Sequence, residues 1–111
     1  MGLKARVRFS HPRSGSREVL VPGGVIGRAG GGGDVQVEGD DLMSRRHGQL
    51  RLEGQEVWYE DLGSSNGSWL AGNRLTGPVR LSPGQPVRLG ETSMELLGLE
   101  ADEQPAEPPP P

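Results

Sequence analysis

The chain has 111 residues, enough for one domain, and contains no cysteine, which excludes disulfides and thiolate metal sites. Only 32% of its residues are hydrophobic, and no stretch approaches the roughly 18 consecutive apolar residues of a membrane span. Its 19 glycines indicate many turns, so we expect an all-β domain with a modest core. The N-terminus lacks an apolar run of signal-peptide length, and a cytoplasmic protein is therefore expected.

The net charge of −3 is distributed unevenly along the chain. Residues 100–111 are acidic and proline-rich and hold no lysine or arginine, whereas the rest has 12 basic and 11 acidic side chains. We expect residues 1–99 to form the domain and residues 100–111 to be a disordered tail or linker. The nearly neutral body lacks the dense basic face of a nucleic-acid binder, so neither nucleic acid nor a membrane is expected as a partner.

Short strands are predicted along the whole body of the chain. Apolar and polar residues alternate over 3–9, which predicts a first strand, and the Pro, Gly and Ser residues of 11–17 predict a loop. The later predicted strands cover 18–21, 25–28, 35–37, 49–52, 56–61, 69–70, 78–81, 86–89 and 93–99. Roughly ten or eleven strands of this length, without a credible helix, indicate a sandwich or barrel.

The turn residues add two specific predictions. Asn66-Gly67 is the strongest hairpin signal in the chain and predicts a type I′ turn, while residues 71–74 form a second predicted turn. The glycine run 30–33 predicts a flexible loop. It is not a nucleotide-binding phosphate loop, because Asp34 and Val35 follow where that motif needs Gly-Lys-Ser/Thr and a helix.

Three segments place phosphate-binding groups in or beside loops: Gly27-Arg28, residues 44–47 and residues 61–68. A strand-end arginine presents a planar donor fork, and serine hydroxyls add neutral donors. His47 is interpreted as a structural residue, since a neutral imidazole both donates and accepts a hydrogen bond and can tie a loop to the sheet.

An enzyme is the less favoured interpretation of the same residues. A hydrolase would use Ser44 as nucleophile, His47 as base and Asp61 to orient the base, yet no strained glycine-flanked elbow surrounds Ser44. His11 and His47 come without a clustered carboxylate or thiol, so no metal site is predicted, and no cofactor is expected. The pattern therefore favours a protein that binds an anion without catalysis.

Taken in order and spacing, these motifs resemble the forkhead-associated (FHA) domain over roughly residues 3–99. The resemblance implies an FHA/SMAD-like β-sandwich of about eleven mainly antiparallel strands, with loops at one end that bind phosphothreonine peptides. The residues it assigns to that peptide are Arg28 as the main phosphate ligand, Ser44, Arg45 and Ser65 beside it, and Asn66 on the peptide main chain. It assigns a loop-shaping role, without a required ligand contact, to Gly27, His47 and Gly67.

The function implied is recognition of phosphothreonine in a partner protein, or in the parent chain itself, after the action of a Ser/Thr kinase. Such a module would take part in signal transduction through protein–protein interaction. The alternative is a phospho-independent docking or structural sandwich. The glycine run would leave the loop after Arg28 unusually mobile, and ordering it on binding would weaken the affinity.

Overall fold

The computed structural model describes residues 3–13 and 15–101, and within these ranges the chain forms eleven strands and no helix. The strands are β1 (Leu3–His11), β2 (Gly15–Val21), β3 (Gly24–Arg28), β4 (Val35–Val37), β5 (Gly48–Glu53), β6 (Glu56–Asp61), β7 (Ser68–Leu70), β8 (Asn73–Arg74), β9 (Val79–Leu81), β10 (Pro86–Leu89) and β11 (Thr92–Ala101). One sheet has six strands, in the order β2-β1-β11-β10-β7-β8, and the other has five, in the order β4-β3-β5-β6-β9. Adjacent strands are antiparallel except for β3 and β4, which run parallel. The predicted all-β sandwich is confirmed.

The core lies between the two sheets and follows the period-two pattern of the sequence. On β1, Ala5, Val7 and Phe9 are at most 3% exposed, while the charged residues between them point away from the core. The five-stranded sheet supplies the facing layer, and its largest fully buried side chains are Ile26, Leu50 and Tyr59. Each large apolar side chain buried in this way contributes about 1.5–3 kcal/mol.

The first hairpin is longer than the sequence predicted. Residues 11–17 were expected to be a loop, yet His11 is paired with Gly15 and Phe9 with Arg17, so most of this segment is strand. Glycine has low strand propensity by itself, and pairing of the whole length of β2 with β1 overrides it.

The prediction for Asn66-Gly67 is wrong in its geometry. Strand β6 pairs with β5 and β9, whereas β7 pairs with β10 and β8, so this dipeptide connects the two sheets and does not close a hairpin. Only Gly67 has a positive φ, of 81°, whereas a type I′ turn requires a positive φ at both central residues.

The two-residue hairpin lies instead between β7 and β8. Ala71 and Gly72 have φ of 53° and 81°, and Leu70 pairs with Asn73 on either side of them. Only these two residues of the predicted turn 71–74 are a turn, since Asn73 and Arg74 form β8.

The last strand runs to Ala101, two residues beyond its predicted end, because it pairs with β1 as far as Leu3. The predicted tail lies outside the described residues from 102 onward. In the described part of the chain, no helix is long and apolar enough to cross a membrane.

Candidate functional site

Three loops meet at one end of the sandwich: residues 29–34 between β3 and β4, 38–47 between β4 and β5, and 62–67 between β6 and β7. The second loop is joined to β3 by main-chain hydrogen bonds, from Arg28 N to Ser44 O at 2.9 Å and from His47 N to Ile26 O at 2.8 Å. It is joined to the third by a bond from Leu62 N to His47 O at 3.0 Å. The sequence motifs are therefore brought together by the backbone itself.

His47 adds side-chain hydrogen bonds to this junction and is fully buried. Its Nδ1 accepts from Ser44 N at 3.1 Å, and its Nε2 lies 2.8 Å from the carbonyl oxygen of Gly67. A backbone N–H can only donate and a carbonyl can only accept, so the ring is neutral with its proton on Nε2. One imidazole thus ties the 38–47 loop to the 62–67 loop.

These bonds leave His47 no nitrogen with which to act as a base. Ser44 approaches the ring through its backbone N–H and not through its hydroxyl, and Asp61 lies 3.8 Å from Nε2, beyond hydrogen-bonding distance. The serine–histidine–aspartate arrangement that a hydrolase would require is not formed by these residues.

Close backbone packing explains two of the glycines. A Cβ at Gly27 would lie 1.7 Å from the carbonyl oxygen of Arg45, and a Cβ at Gly31 would lie 2.6 Å from the Cβ of Arg45. Gly30 N also donates to Oε1 of Gln36 at 3.1 Å. The glycine loop therefore packs directly against the segment that carries Arg45.

Asp61 shapes the 62–67 loop through four hydrogen bonds. Its carboxylate accepts from the N–H of Gly63 and of Ser64, both at 2.9 Å, and from the hydroxyls of Ser64 and Ser68, both at 2.6 Å. Partial burial would raise the pKa of Asp61, but these hydrogen bonds outweigh it and hold the pKa below its ordinary value.

The same network fixes the buried Tyr59. Because the proton of the Ser68 hydroxyl is given to Asp61, the Tyr59 hydroxyl donates to Ser68 Oγ, at 2.7 Å. Burial raises the pKa of Tyr59 far above its usual range, and this side chain stays neutral. Ser64 is likewise buried and accepts from Gly67 N at 2.9 Å, so it supports the loop from inside.

All five residues predicted to contact a ligand line one depression of about 360 Å³. Its lining consists of Arg28, Asp41, Leu42, Met43, Ser44, Arg45, Ser65 and Asn66. Among the described residues, no carboxylate pairs with the guanidinium of Arg28 or of Arg45. The other three lining residues, Asp41, Leu42 and Met43, were not among the predicted site residues. They line the depression because they immediately precede Ser44 on the same loop.

Two polar side chains of the depression, Ser44 and Asn66, are already held by hydrogen bonds within the domain. Ser44 Oγ accepts from Ser65 N at 3.1 Å, which leaves its own proton available for another acceptor. Asn66 donates from Nδ2 to the carbonyl oxygen of Leu42 at 2.8 Å, and its exposed amide retains an acceptor oxygen.

A second depression, of about 470 Å³, begins where the first ends. The two share Leu42 and Asn66, and the second continues over Trp69 and Arg88 to the β10–β11 turn. Leu42 is 44% exposed, which is unusual for a large apolar side chain in this domain. The two depressions therefore adjoin at Leu42 and Asn66 and form one groove.

The prediction that His11 has no carboxylates clustered around it is wrong. This histidine does have clustered carboxylates, since ligand atoms of His11, Asp40 and Glu91 lie within 4.8 Å of one another. However, His11 Nδ1 accepts from Arg13 N at 3.1 Å, so the proton sits on Nε2, which faces Glu91 Oε1 at 3.4 Å. A metal ligand must be an unprotonated nitrogen, whereas this Nε2 carries the proton and is buried without a hydrogen-bond partner.

Comparison with known proteins agrees with this geometry. The model of the FHA domain family matches residues 24–90, which include all three loops. FhaB of Mycobacterium tuberculosis, an FHA domain-containing protein, is 47% identical over 57 residues, which are 51% of this chain and 37% of that protein. The chain therefore matches well under half the length of this curated relative.

Solved structures extend the likeness over most of the chain. The FHA domain of CT664 from Chlamydia trachomatis is 26% identical with a TM-score of 0.72, covering 83% of this chain and 96% of that one. The FHA domain of FhaA, solved in complex with the intracellular domain of Rv3910, is 25% identical with a TM-score of 0.68, covering 81% and 98%. The fold, the matched residues and the three meeting loops lead to one conclusion, that this chain belongs to the FHA domain family.

Proposed function

We propose that this domain binds phosphothreonine peptides and so recruits a phosphorylated partner protein, or another part of its own parent chain. The observation that carries the proposal is that two arginines, Arg28 and Arg45, line one depression with two serines. Neither arginine forms an ion pair with a described carboxylate, although Asp41 also lines the depression. A phosphate monoester brings about −1.5 to −2 charges and three acceptor oxygens at neutral pH, which matches these donors.

Each residue has a distinct part in the proposed complex. Arg28 provides the main charged fork, the Ser44 hydroxyl donates its free proton to a phosphate oxygen, and Arg45 and Ser65 approach from the two neighbouring loops. Asn66 hydrogen-bonds the peptide main chain just after the phosphothreonine. Charged hydrogen bonds contribute about 1.5–3 kcal/mol each, so three or four of them, reduced by the entropy lost on association, give a micromolar complex.

The buried residues support this site without touching the ligand. Gly27 admits the Arg45 carbonyl, His47 joins the loops, and Gly67 supplies the carbonyl that His47 requires. Donors held in place before binding lose little freedom when the phosphate arrives, which favours affinity.

The relatives support the same chemistry. One similar structure, 26% identical with a TM-score of 0.67, comes from a study of phosphothreonine-dependent FHA domain interactions. By analogy, we propose a Ser/Thr kinase upstream and a role in signal transduction. A cytoplasmic location, where such a kinase would act, is part of the proposal, as is the absence of catalytic activity.

The test is titration of the domain with a degenerate phosphothreonine peptide pool, with phosphoserine and unphosphorylated pools alongside. We expect micromolar binding to the phosphothreonine pool, reduced about 100-fold by Arg28→Ala, which removes charged bonds worth roughly 3 kcal/mol in total. Arg80→Ala removes the same charge from exposed β9, where Arg80 pairs with Glu56 at 3.3 Å, and should bind like the wild type. Equal affinity for unphosphorylated peptide would favour the phospho-independent docking module instead.

A further inference from the structure

A row of three side chains crosses the outer face of the six-stranded sheet beside the proposed site. Trp69 on β7 is directly opposite Arg74 on β8 and directly opposite Arg88 on β10. Residues that face each other across antiparallel strands project from the same side of the sheet. The neighbours of Arg88 along its strand, Val87 and Leu89, are buried, which places Arg88 on the solvent side.

This row is in direct contact with the 62–67 loop. Trp69 donates from Nε1 to the carbonyl oxygen of Asn66 at 3.0 Å, and the Arg74 side chain lies so close to Gly67 that a Cβ there would be 2.7 Å from Arg74 Nε. The groove that leaves the phosphate-binding depression passes Asn66 and reaches Trp69 and Arg88. A peptide bound through Asn66 would therefore continue toward this row.

The two arginines of the row form no ion pair with a described residue, and Glu91, which lines the same depression as Arg88, pairs with Arg13 instead. Several exposed arginines elsewhere pair with acids, as do Arg8 with Glu18, Arg51 with Glu53 and Arg80 with Glu56. No described carboxylate pairs with Arg74 or Arg88. The Arg88 guanidinium lies over the Trp69 ring, 5.8 Å from its centroid, which holds the cation in place without neutralising it.

We propose that Arg74, Trp69 and Arg88 form a second anion-binding patch, which takes an acidic group of the same peptide a few residues from its phosphothreonine. The group is a carboxylate or a second phosphate, since both match an arginine fork. The inference rests on the proposed function and adds a preference to it: the preferred partner has a phosphothreonine in an acidic or multiply phosphorylated segment.

The experiment compares three phosphothreonine peptides of one sequence, in which the flanking positions carry Asn and Gln, Asp and Glu, or a phosphoserine. We expect the wild-type domain to bind the acidic and doubly phosphorylated peptides about fivefold or more tightly than the neutral one at low salt, because exposed charge pairs are individually weak. If only the phosphoserine peptide shows this gain, the anion is a phosphate, and if both do, either anion serves.

The variant Arg74→Ala/Arg88→Ala should reduce the ratio of acidic to neutral affinity to below about twofold. Because the readout is this ratio, a change that affects both peptides equally cancels. Arg80→Ala is the matched control and should retain the wild-type ratio. Arg74→Gln/Arg88→Gln, which preserves more of the side-chain packing, gives the same readout should the alanine variant unfold.

Three results would overturn the proposal. The first is a wild-type ratio of acidic to neutral affinity near one, and the second is a wild-type-like ratio in both double variants. The third is an equal loss of this ratio in Arg80→Ala, which would indicate a general effect of the positive charge of the domain. The neutral peptide separates this failure from that of the proposed function. If it binds in an Arg28-dependent manner without acidic preference, only the patch is refuted, and if no phosphopeptide binds, both proposals fail.

Discussion

Substituting Gly31 by alanine tests whether the glycine loop is a packed support or a mobile segment. Gly31 has no positive φ, so the backbone itself accepts alanine. The added methyl, however, would lie 2.6 Å from the Cβ and 2.7 Å from the carbonyl oxygen of Arg45. Ordinary van der Waals contact begins near 3.4 Å, so the two loops must separate by roughly 0.8 Å, which moves the backbone that carries Arg45.

The change in the unfolding free energy of Gly31→Ala is the balance of two opposing effects. Alanine restricts the unfolded chain and stabilises the fold by about 0.4–1 kcal/mol, whereas overpacking costs about 1–3 kcal/mol where the surroundings cannot relax. We expect an unfolding free energy within about 1 kcal/mol of the wild type. Displacing Arg45 forfeits part of a charged hydrogen bond worth about 1.5–3 kcal/mol, so affinity for a phosphothreonine peptide should fall about five- to tenfold.

The assay is calorimetric titration with one phosphothreonine peptide, combined with urea unfolding of each variant. Gly77→Ala is the control, since a Cβ at Gly77 meets nothing within 4 Å and its φ is also ordinary. Wild-type affinity in Gly31→Ala would refute this reasoning, because it would mean that the loop moves away at no cost, as the glycine-rich sequence had suggested.

Three further predictions concern stability and pH. His47→Ala should lower the unfolding free energy by about 2–4 kcal/mol in urea denaturation, because it leaves Ser44 N and Gly67 O unpaired and opens a cavity; an unchanged midpoint would contradict the role of the imidazole. The pKa of Asp61 is lower in the folded state than in the unfolded chain, so its contribution to stability is complete above the unfolded pKa and is lost as the pH falls through the folded one. Unfolding free energies measured from pH 6 to pH 2 should therefore fall less steeply at the acid end for Asp61→Asn, and parallel curves would exclude Asp61 as a cause. Peptide affinity should decrease below about pH 6, where the phosphate takes up its second proton, and a phosphonate analogue with a different second pKa should shift that midpoint correspondingly.

Local pattern was sufficient for the fold class and for most strands. Apolar residues at every second position on β1 and β5 describe a half-buried sheet wherever the strand ends up, so their alternation could be interpreted without tertiary information. The motif residues of the site were also recognisable, because Arg28, Ser44 and Asn66 carry groups that a structural loop does not need.

The local sequence pattern did not predict the turn geometry correctly. Asn66-Gly67 has the composition of a hairpin turn, yet the preceding and following strands belong to different sheets, and the only type I′-like hairpin lies at Ala71-Gly72 within the described residues. A dipeptide favours a backbone conformation, but which strands pair is set by burial on both faces of the sandwich.

The arrangement around the site depends on pairing between segments that are distant in the sequence. The row of Arg74, Trp69 and Arg88 exists because β7 lies between β8 and β10, and the contact of Gly31 with Arg45 exists because β3 receives the 38–47 loop. Residue types and their periodicity thus determine which groups the chain has and which faces it buries, since both are local properties. Which groups become neighbours follows from strand order and register, because only the folded chain brings together residues that are separated in sequence.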